Sequence, residues 1–197
     1  MMRKMKREDV KDLVAYEKVR EQYRGRIIEL KKLRRVELGD SVSLVFENTE
    51  TALSQVQEMV RTERIVDPAA IDFEIGVYNA LIPAPGSLSA TLFIEITGAR
   101  DIREELDRFI GLDRPGALFF ALEKTGRVNA VFEEGHSRAD RIAAVQYVSF
   151  PFGPDQIEEF RGGAGNVTLA LEHTGYRAQA VLEPQVRSAL ARDFDPS

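Results

Sequence analysis

Cysteine is absent from this chain of 197 residues, and histidine occurs only twice, at His136 and His173. The missing cysteines exclude disulfides, thiolate catalysis, cysteine-based zinc sites and iron–sulfur ligation. A closed set of nitrogen and sulfur ligands cannot be built from two histidines that lie in different predicted turns. We therefore expect no cofactor, in particular no structural zinc, iron–sulfur cluster or haem.

Long hydrophobic runs are missing as well. No apolar run approaches the ~18 residues that a membrane-spanning helix needs. The basic start of the chain is followed by Glu8 and Asp9 rather than by an apolar stretch, which does not fit a secretory signal. These patterns predict a cytoplasmic protein without membrane contact, and its 44% hydrophobic content is enough for a buried core.

Charge is distributed unevenly along the chain. Residues 1–35, called the arm below, carry a net charge of +7, whereas residues 36–197 carry −12. A basic arm can grip the phosphates of a nucleic acid, or it can lie on an acidic body, its own or that of a partner subunit. We favour the second interpretation and consider nucleic acid an improbable partner, because the arm itself contains six acidic residues.

The arm is expected to form one long helix over about 8–34, which Gly25 could kink. Its apolar residues recur on a narrow seam that needs a covering surface: Leu13, Tyr16, Tyr23, Ile27 and Leu30. Since the helix is long and the chain is small, we predict that the arm reaches a second subunit and forms a homodimer.

The body, residues 36–197, is predicted to be a single domain of the α+β class. We expect a mostly antiparallel sheet of about six or seven strands with packed helices, because strand patterns follow one another through short turns. Helices are predicted near 50–65, 68–82, 102–110, 155–161 and 184–194, and strands near 41–46, 88–96, 117–122, 128–132, 142–150, 167–172 and 176–182. The residues expected in the core include Leu92, Ile94, Leu118, Phe120 and Leu169.

Familiar catalytic motifs are not recognisable. The stretch Gly162–Gly165 runs from a predicted helix to a strand, whereas a phosphate-binding loop runs from a strand to a helix. Ser87 and Ser89 lie near glycine but do not form the elbow of a serine hydrolase. We therefore lean towards a protein that is not an enzyme.

Weak candidates for ligand binding remain. The predicted loop at 136–141 gathers hydrogen-bond donors that could bind a carboxylate or a phosphate, although a solvated loop of mixed charge has the same pattern. Its donors are His136, Ser137, Arg138 and Arg141. Glu74 and Tyr78, one helical turn apart, could line a pocket. Gln55 and Glu58 lie opposite the apolar stripe of their helix and are expected to face water.

A metal site is conceivable near the same loop. Glu133, His136 and Asp140 combine carboxylate and imidazole groups that suit several divalent ions. The spacing of Glu133 and His136 resembles that of di-iron bundles. The helix that would give this spacing its meaning is not predicted here, so a solvated loop is the simpler interpretation.

Three stretches carry a resemblance to a bacterial family, a domain of unknown function of about this length. They span residues 17–65, 79–96 and 135–150. The resemblance covers nearly the whole chain and transfers no functional residue. Members look as if they are often encoded near rubrerythrin-like and iron–sulfur oxidoreductase proteins, which implies a link to redox or peroxide-stress metabolism.

The leading hypothesis is thus a non-enzymatic accessory or interaction protein that could be the partner of a redox protein. A small-molecule enzyme or anionic-ligand binder using the 136–141 loop is the alternative, with nucleic-acid contact through the arm as a weaker one.

Overall fold

The computed structural model describes residues 3–96, 101–133, 135, 137–138, 141–163 and 165–195. It confirms the α+β class. The helices of the described part are α1 (Leu13–Lys32), α2 (Thr49–Thr62), α3 (Pro68–Asn79), α4 (Ile102–Asp107), α5 (Pro154–Arg161) and α6 (Pro184–Ala191). Its strands are β1 (Arg35–Leu38), β2 (Val42–Phe46), β3 (Ser87–Ile94), β4 (Leu118–Leu122), β5 (Gly126–Asn129), β6 (Val131–Phe132), β7 (Ser137–Arg138), β8 (Arg141–Ile142), β9 (Val145–Pro151), β10 (Val167–His173) and β11 (Tyr176–Val181).

The strands form two main sheets instead of the one that the sequence predicts. Sheet A has the order β1-β2-β3-β9-β6 and sheet B the order β11-β10-β4-β5, and β7 and β8 form a small hairpin. The strand pairs of the described part are antiparallel, as predicted. The predicted strand at 128–132 is divided, because β5 pairs with β4 in sheet B whereas β6 pairs with β9 in sheet A. Alternating apolar residues do not reveal such a change of sheet.

The main core lies between the two sheets. Phe120 of β4 lies at its centre, with its ring centroid 5.7 Å from that of Phe46 and 4.8 Å from that of Phe150. All the residues that were expected in the core are buried there, which confirms the prediction: Leu92, Ile94, Leu118, Phe120 and Leu169.

A second, smaller core joins α2, α3 and the start of the chain. Its buried members are Met5, Ala52, Val56, Val60, Ile75 and Ile82. Asn48 caps α2 by accepting a hydrogen bond from the amide of Thr51, and Asp67 caps α3 by accepting one from Ala70. A polar layer lies between sheet A and this second core, where Glu47 bonds to Thr51 of α2 and Thr91 of β3, and Ser89 bonds to the carbonyl of Leu81.

The helix of the arm begins later than predicted. Asp12 caps α1 by accepting a hydrogen bond from the amide of Ala15, and residues 7–9 form a separate 3₁₀ turn. That turn is held by Asp9, whose carboxylate accepts hydrogen bonds from the Arg3 side chain and from the amide of Lys6. The helix runs without interruption through Gly25, so the kink considered there is not found.

The arm lies on the acidic body of its own chain. Cations of the arm pair with carboxylates of the body: Arg7 with Asp72, Arg20 with Glu58, Arg26 with Glu50, Arg34 with Asp193 and Arg35 with Glu95. Tyr16 and Ile27 of the seam are buried, while Leu13, Tyr23 and Leu30 are partly buried. This contact within one chain is one of the two forms of arm–body association that the charge distribution predicts. Its ion pairs also engage several of the arm cations that would otherwise be available to the phosphates of a nucleic acid.

Candidate functional site

A cleft of about 270 Å³ lies in the polar layer between sheet A and the end of α3. Strands β3, β6 and β9 form its floor, and Ala80 and Leu81, which follow α3, form its roof. Its walls are mixed, with apolar side chains from Leu81 and Val131 beside polar ones. The polar lining residues are Glu47, Ser89, Glu133, Tyr147 and Ser149.

Glu47 is the most unusual residue of the cleft. It follows β2 directly, and it is only 3% exposed. Its carboxylate accepts hydrogen bonds from the hydroxyls of Thr51, at 2.5 Å, and Thr91, at 2.7 Å, and the Gln55 amide nitrogen lies 3.3 Å from both of its oxygens. No cation of the described part of the chain pairs with it. Buried carboxylates are normally paired or bound to a cation, because burial penalises an uncompensated charge.

The backbone explains how this carboxylate enters the cleft. Side chains alternate along a strand, so Glu47 shares the outer face of sheet A with Val45, whose partner in β3 is Thr91. The amide of Glu47 donates to the carbonyl of Ser89 at 2.8 Å, which continues the pairing one residue beyond β2. Arg34 donates at 3.1 Å to the main-chain oxygen of Glu47 and therefore does not neutralise the carboxylate.

Two residues of α2 that the sequence analysis placed in water have side-chain partners in the fold. Gln55 contacts Glu47, as described, and is partly buried. Glu58 accepts hydrogen bonds from the Tyr16 hydroxyl at 2.7 Å and from Arg20 at 2.9 Å. Burial acts to raise the pKa of Glu58, but these hydrogen bonds outweigh it and leave the pKa below its ordinary value. The prediction of two solvated residues was wrong, because Glu58 is bonded by the arm and Gln55 by the residue that follows β2.

The end of α3 adds negative potential near the cleft. Carbonyls at a helix C-terminus carry partial negative charge. Lys4 of the arm donates to the carbonyls of Asn79 and Ile82, so one cation of this chain already occupies part of that end. The Ser89 hydroxyl donates to the carbonyl of Leu81 at 2.5 Å and joins β3 to this end of the helix. The Glu47 carboxylate and a helix end thus make the cleft suited to positive charge.

Glu74 and Tyr78, predicted to line a pocket, are not among the residues that line this cleft. Burial raises the pKa of Tyr78, and the charge of Glu74 adds to the effect.

The predicted metal and anion sites are only partly described. Glu133 lines the cleft, but His136 and Asp140 lie outside the described residues, so their prediction is untested. Ser137 and Arg138 form β7, which pairs with Arg141 and Ile142 of β8. Within the described part, no group of three histidine, aspartate or glutamate side chains could hold a metal ion.

His173 has the simple hairpin role that its position between two strands indicates. Its Nδ1 accepts a hydrogen bond from the amide of Gly175 at 3.1 Å, and its Nε2 lies 3.0 Å from the carbonyl of Ile110.

Sequence reasoning missed Glu47, Tyr147 and Ser89. A signal existed for Glu47. It lies between an apolar strand and Asn48, the N-cap of the next helix, so both neighbouring elements hold it close to the core. The hydroxyl and amide side chains of Thr51 and Gln55 follow four and eight residues later, on the face of α2 that looks towards it. Tyr147 and Ser89 carried no comparable signal.

No helix of the described part is long and apolar enough to cross a membrane. No protein of curated function matches the chain. The chain is similar to a novel protein of unknown function from Burkholderia pseudomallei K96243, whose crystal structure was determined at 1.90 Å resolution. The two are 31% identical and superpose with a TM-score of 0.89 over 98% of this chain and 100% of that one. A profile of proteins of unknown function, DUF3501, matches residues 4–194. The chain therefore belongs to the DUF3501 family.

Proposed function

We propose that the protein binds a small organic cation in the cleft at Glu47. One observation carries the proposal: the Glu47 carboxylate is 3% exposed, borders a cleft, and has only neutral hydrogen-bond donors as partners among the described residues. An ammonium or guanidinium group entering the cleft would supply the missing positive charge, and charge-assisted hydrogen bonds are the strong ones.

The dimensions and walls of the cleft narrow the class of ligand. Its volume of about 270 Å³ lies just below the roughly 300 Å³ at which ligand pockets usually begin. The apolar side chains of Leu81 and Val131 favour a short alkyl or aryl group beside the charged head. A substituted amine or guanidine fits the cleft better than an anion does, because the Glu47 carboxylate lines it.

This role is that of a binding protein, which agrees with the accessory function proposed from the sequence. The link to redox or peroxide-stress metabolism rests on the resemblance alone. A nucleic-acid role gains no support from the arm, since its cations Arg7, Arg20 and Arg34 are engaged by carboxylates of the body.

Thermal unfolding in the presence of butylamine, benzylamine or agmatine tests the proposal, with butyrate and benzoate as anionic counterparts. A ligand at about 100 times its Kd stabilises the native state by about 2.7 kcal/mol, which corresponds to roughly 5–10 °C in Tm for a chain of this length. We expect at least one of the cations to raise Tm and the anions to leave it unchanged.

Two variants locate the effect. Glu47→Gln removes the charge at nearly constant shape and should abolish the shift, while Val131→Trp should block the mouth of the cleft, where Val131 is 56% exposed. Glu172→Gln is the matched control, because this exposed glutamate of β10 pairs with Arg127 away from the cleft lining. Equal shifts with anions, or full binding by Glu47→Gln, would disprove the proposal.

A further inference from the structure

Arg64 adopts a backbone conformation that favours glycine. Its φ is +50°, and among the described residues it is the only one other than glycine with a positive φ. It directly follows Glu63, the C-cap of α2, where the amide of Ile65 donates to the carbonyl of Val60 at 2.9 Å and closes the helix. Glycine is the usual residue at this position. The folded state would therefore be more stable with glycine than with arginine at position 64.

No polar partner within the described part of the chain explains the presence of the Arg64 side chain. It is exposed, and no ion pair or hydrogen bond engages it within the part of the chain that the structure describes. Residues held in unfavourable backbone conformations are concentrated at functional sites. Arg64 is thus placed where its guanidinium is available to something outside the chain.

A shallow groove of about 770 Å³ lies beside this guanidinium, between the first turns of α1 and the last turn of α2. Leu13 and Val14 provide its apolar surface, and Val14 is 68% exposed. A second depression of about 660 Å³ shares Leu13 and continues past Val66, which is 75% exposed. Together they form an extended apolar strip, which we call the Arg64 groove.

Cations outnumber carboxylates along the Arg64 groove, where Arg7, Lys11, Lys18, Arg61 and Arg64 line it beside Glu8, Asp12 and Glu17. Arg61 is paired with Glu17 at 2.8 Å, but Lys18 and Arg64 have no ionic partner in the described part. The groove is too open to enclose a small molecule, while an amphipathic helix can lay its apolar face on such a strip. A symmetric contact between two copies of this face would bring like charges together, which disfavours a second copy as the occupant.

We propose that the Arg64 groove docks an acidic amphipathic helix of a partner protein. Apolar side chains at helical spacing contact Val14 and Val66, and carboxylates along the flank of the helix meet Lys18 and Arg64. This inference is independent of the cation cleft at Glu47, which lies on the other side of α2 and α3 and shares no lining residue with the groove.

Fluorescence anisotropy with a labelled synthetic helix tests the docking. The probe is a 15-residue peptide with leucine on one face and glutamate elsewhere, and its matched counterpart carries lysine in place of glutamate. We expect saturable binding of the acidic probe that weakens with salt, and no binding of the basic one. Val14→Ser should weaken binding at least threefold, whereas Val181→Ser, an exposed valine of β11, should not change it.

Three substitutions of Arg64 separate charge from backbone strain. Arg64→Gly relieves the strain and removes the charge, so Tm should rise by roughly 2–4 °C while affinity falls at least threefold. Arg64→Ala should lower affinity equally without raising Tm. Arg64→Lys keeps the charge and should change both quantities little.

Several results would overturn the proposal. They are equal binding of both peptides, undiminished binding by Arg64→Gly and Arg64→Ala, and stronger competition by a DNA oligonucleotide than by unlabelled acidic peptide. Self-association that is lost in Arg64→Gly would also do so, since it would identify a second copy as the occupant.

Discussion

Replacing Phe120 with alanine tests the central packing of this fold. Phe120 is fully buried in β4 and lies where the two sheets meet. Besides Phe46 and Phe150, its ring contacts those of Phe152, at 5.6 Å between centroids, and Phe160 of α5, at 5.9 Å. The substitution therefore removes contacts to sheet A, to the segment after β9 and to α5 at once.

The expected loss follows from these contacts. Truncation of a buried phenylalanine costs about 3–5 kcal/mol, through lost transfer free energy and the cavity left behind. Aromatic pairs add about 0.5–1.5 kcal/mol beyond the buried area, which places this residue at the upper end. A loss of 4–5 kcal/mol is a large part of the 5–15 kcal/mol that stabilises a typical domain. The corresponding fall in Tm is about 8–20 °C.

Urea unfolding followed by circular dichroism measures this loss. Phe73→Ala is the matched control, because Phe73 is 70% exposed on α3 and its removal should change the free energy of unfolding by less than about 0.5 kcal/mol. A loss below about 1 kcal/mol for Phe120→Ala, with an unchanged slope against urea, would refute the sandwich packing.

Three further predictions concern pH, backbone and assembly. The hydrogen bonds from the Arg3 side chain and the Lys6 amide lower the pKa of Asp9 to about 2 from its ordinary 3.8. The ionised Asp9 therefore stabilises the fold above pH ~4, and this contribution is lost as pH falls towards 2. In urea unfolding at a series of pH values, Asp9→Asn should lose less stability over that interval than the unmodified protein. Gly175→Ala should strongly lower the free energy of unfolding, because a Cβ at this position would lie 2.1 Å from the carbonyl oxygen of Arg108. Gly76→Ala should raise it by about 0.5–1 kcal/mol, because the space around Gly76 in α3 is open. Equal effects of the two substitutions in chemical unfolding would contradict this reasoning. Sedimentation velocity tests the predicted homodimer: a single species at the chain mass of 22.1 kDa would make that prediction wrong.

The sequence predicted the elements whose patterns are local. The helix predicted near 68–82 and the strand predicted near 41–46 are found as α3 and β2. Such signals depend on neighbours within a few residues, which is why helix starts, strands and the core position of Phe120 could be predicted before any tertiary contact was known.

The candidate site could be predicted only in fragments. Glu133, Glu74 and Tyr78 were selected for their chemistry, and of these only Glu133 is among the residues that line the cleft. Glu47 and Tyr147 were missed, because a glutamate at the end of a strand and a tyrosine within one acquire meaning only from the strands paired beside them.

Composition and local pattern by themselves determined the α+β class, the antiparallel pairing, the buried residues and the exclusion of cysteine chemistry. Tertiary structure alone decided the division into two sheets, the passage of the chain from sheet B to sheet A near Ala130, and the placement of the arm on α2 and α3. The physical reason is the range of the interactions. Helix caps and strand alternation act over a few residues, whereas the surroundings of Glu47 come from segments more than 40 residues apart, such as Thr91.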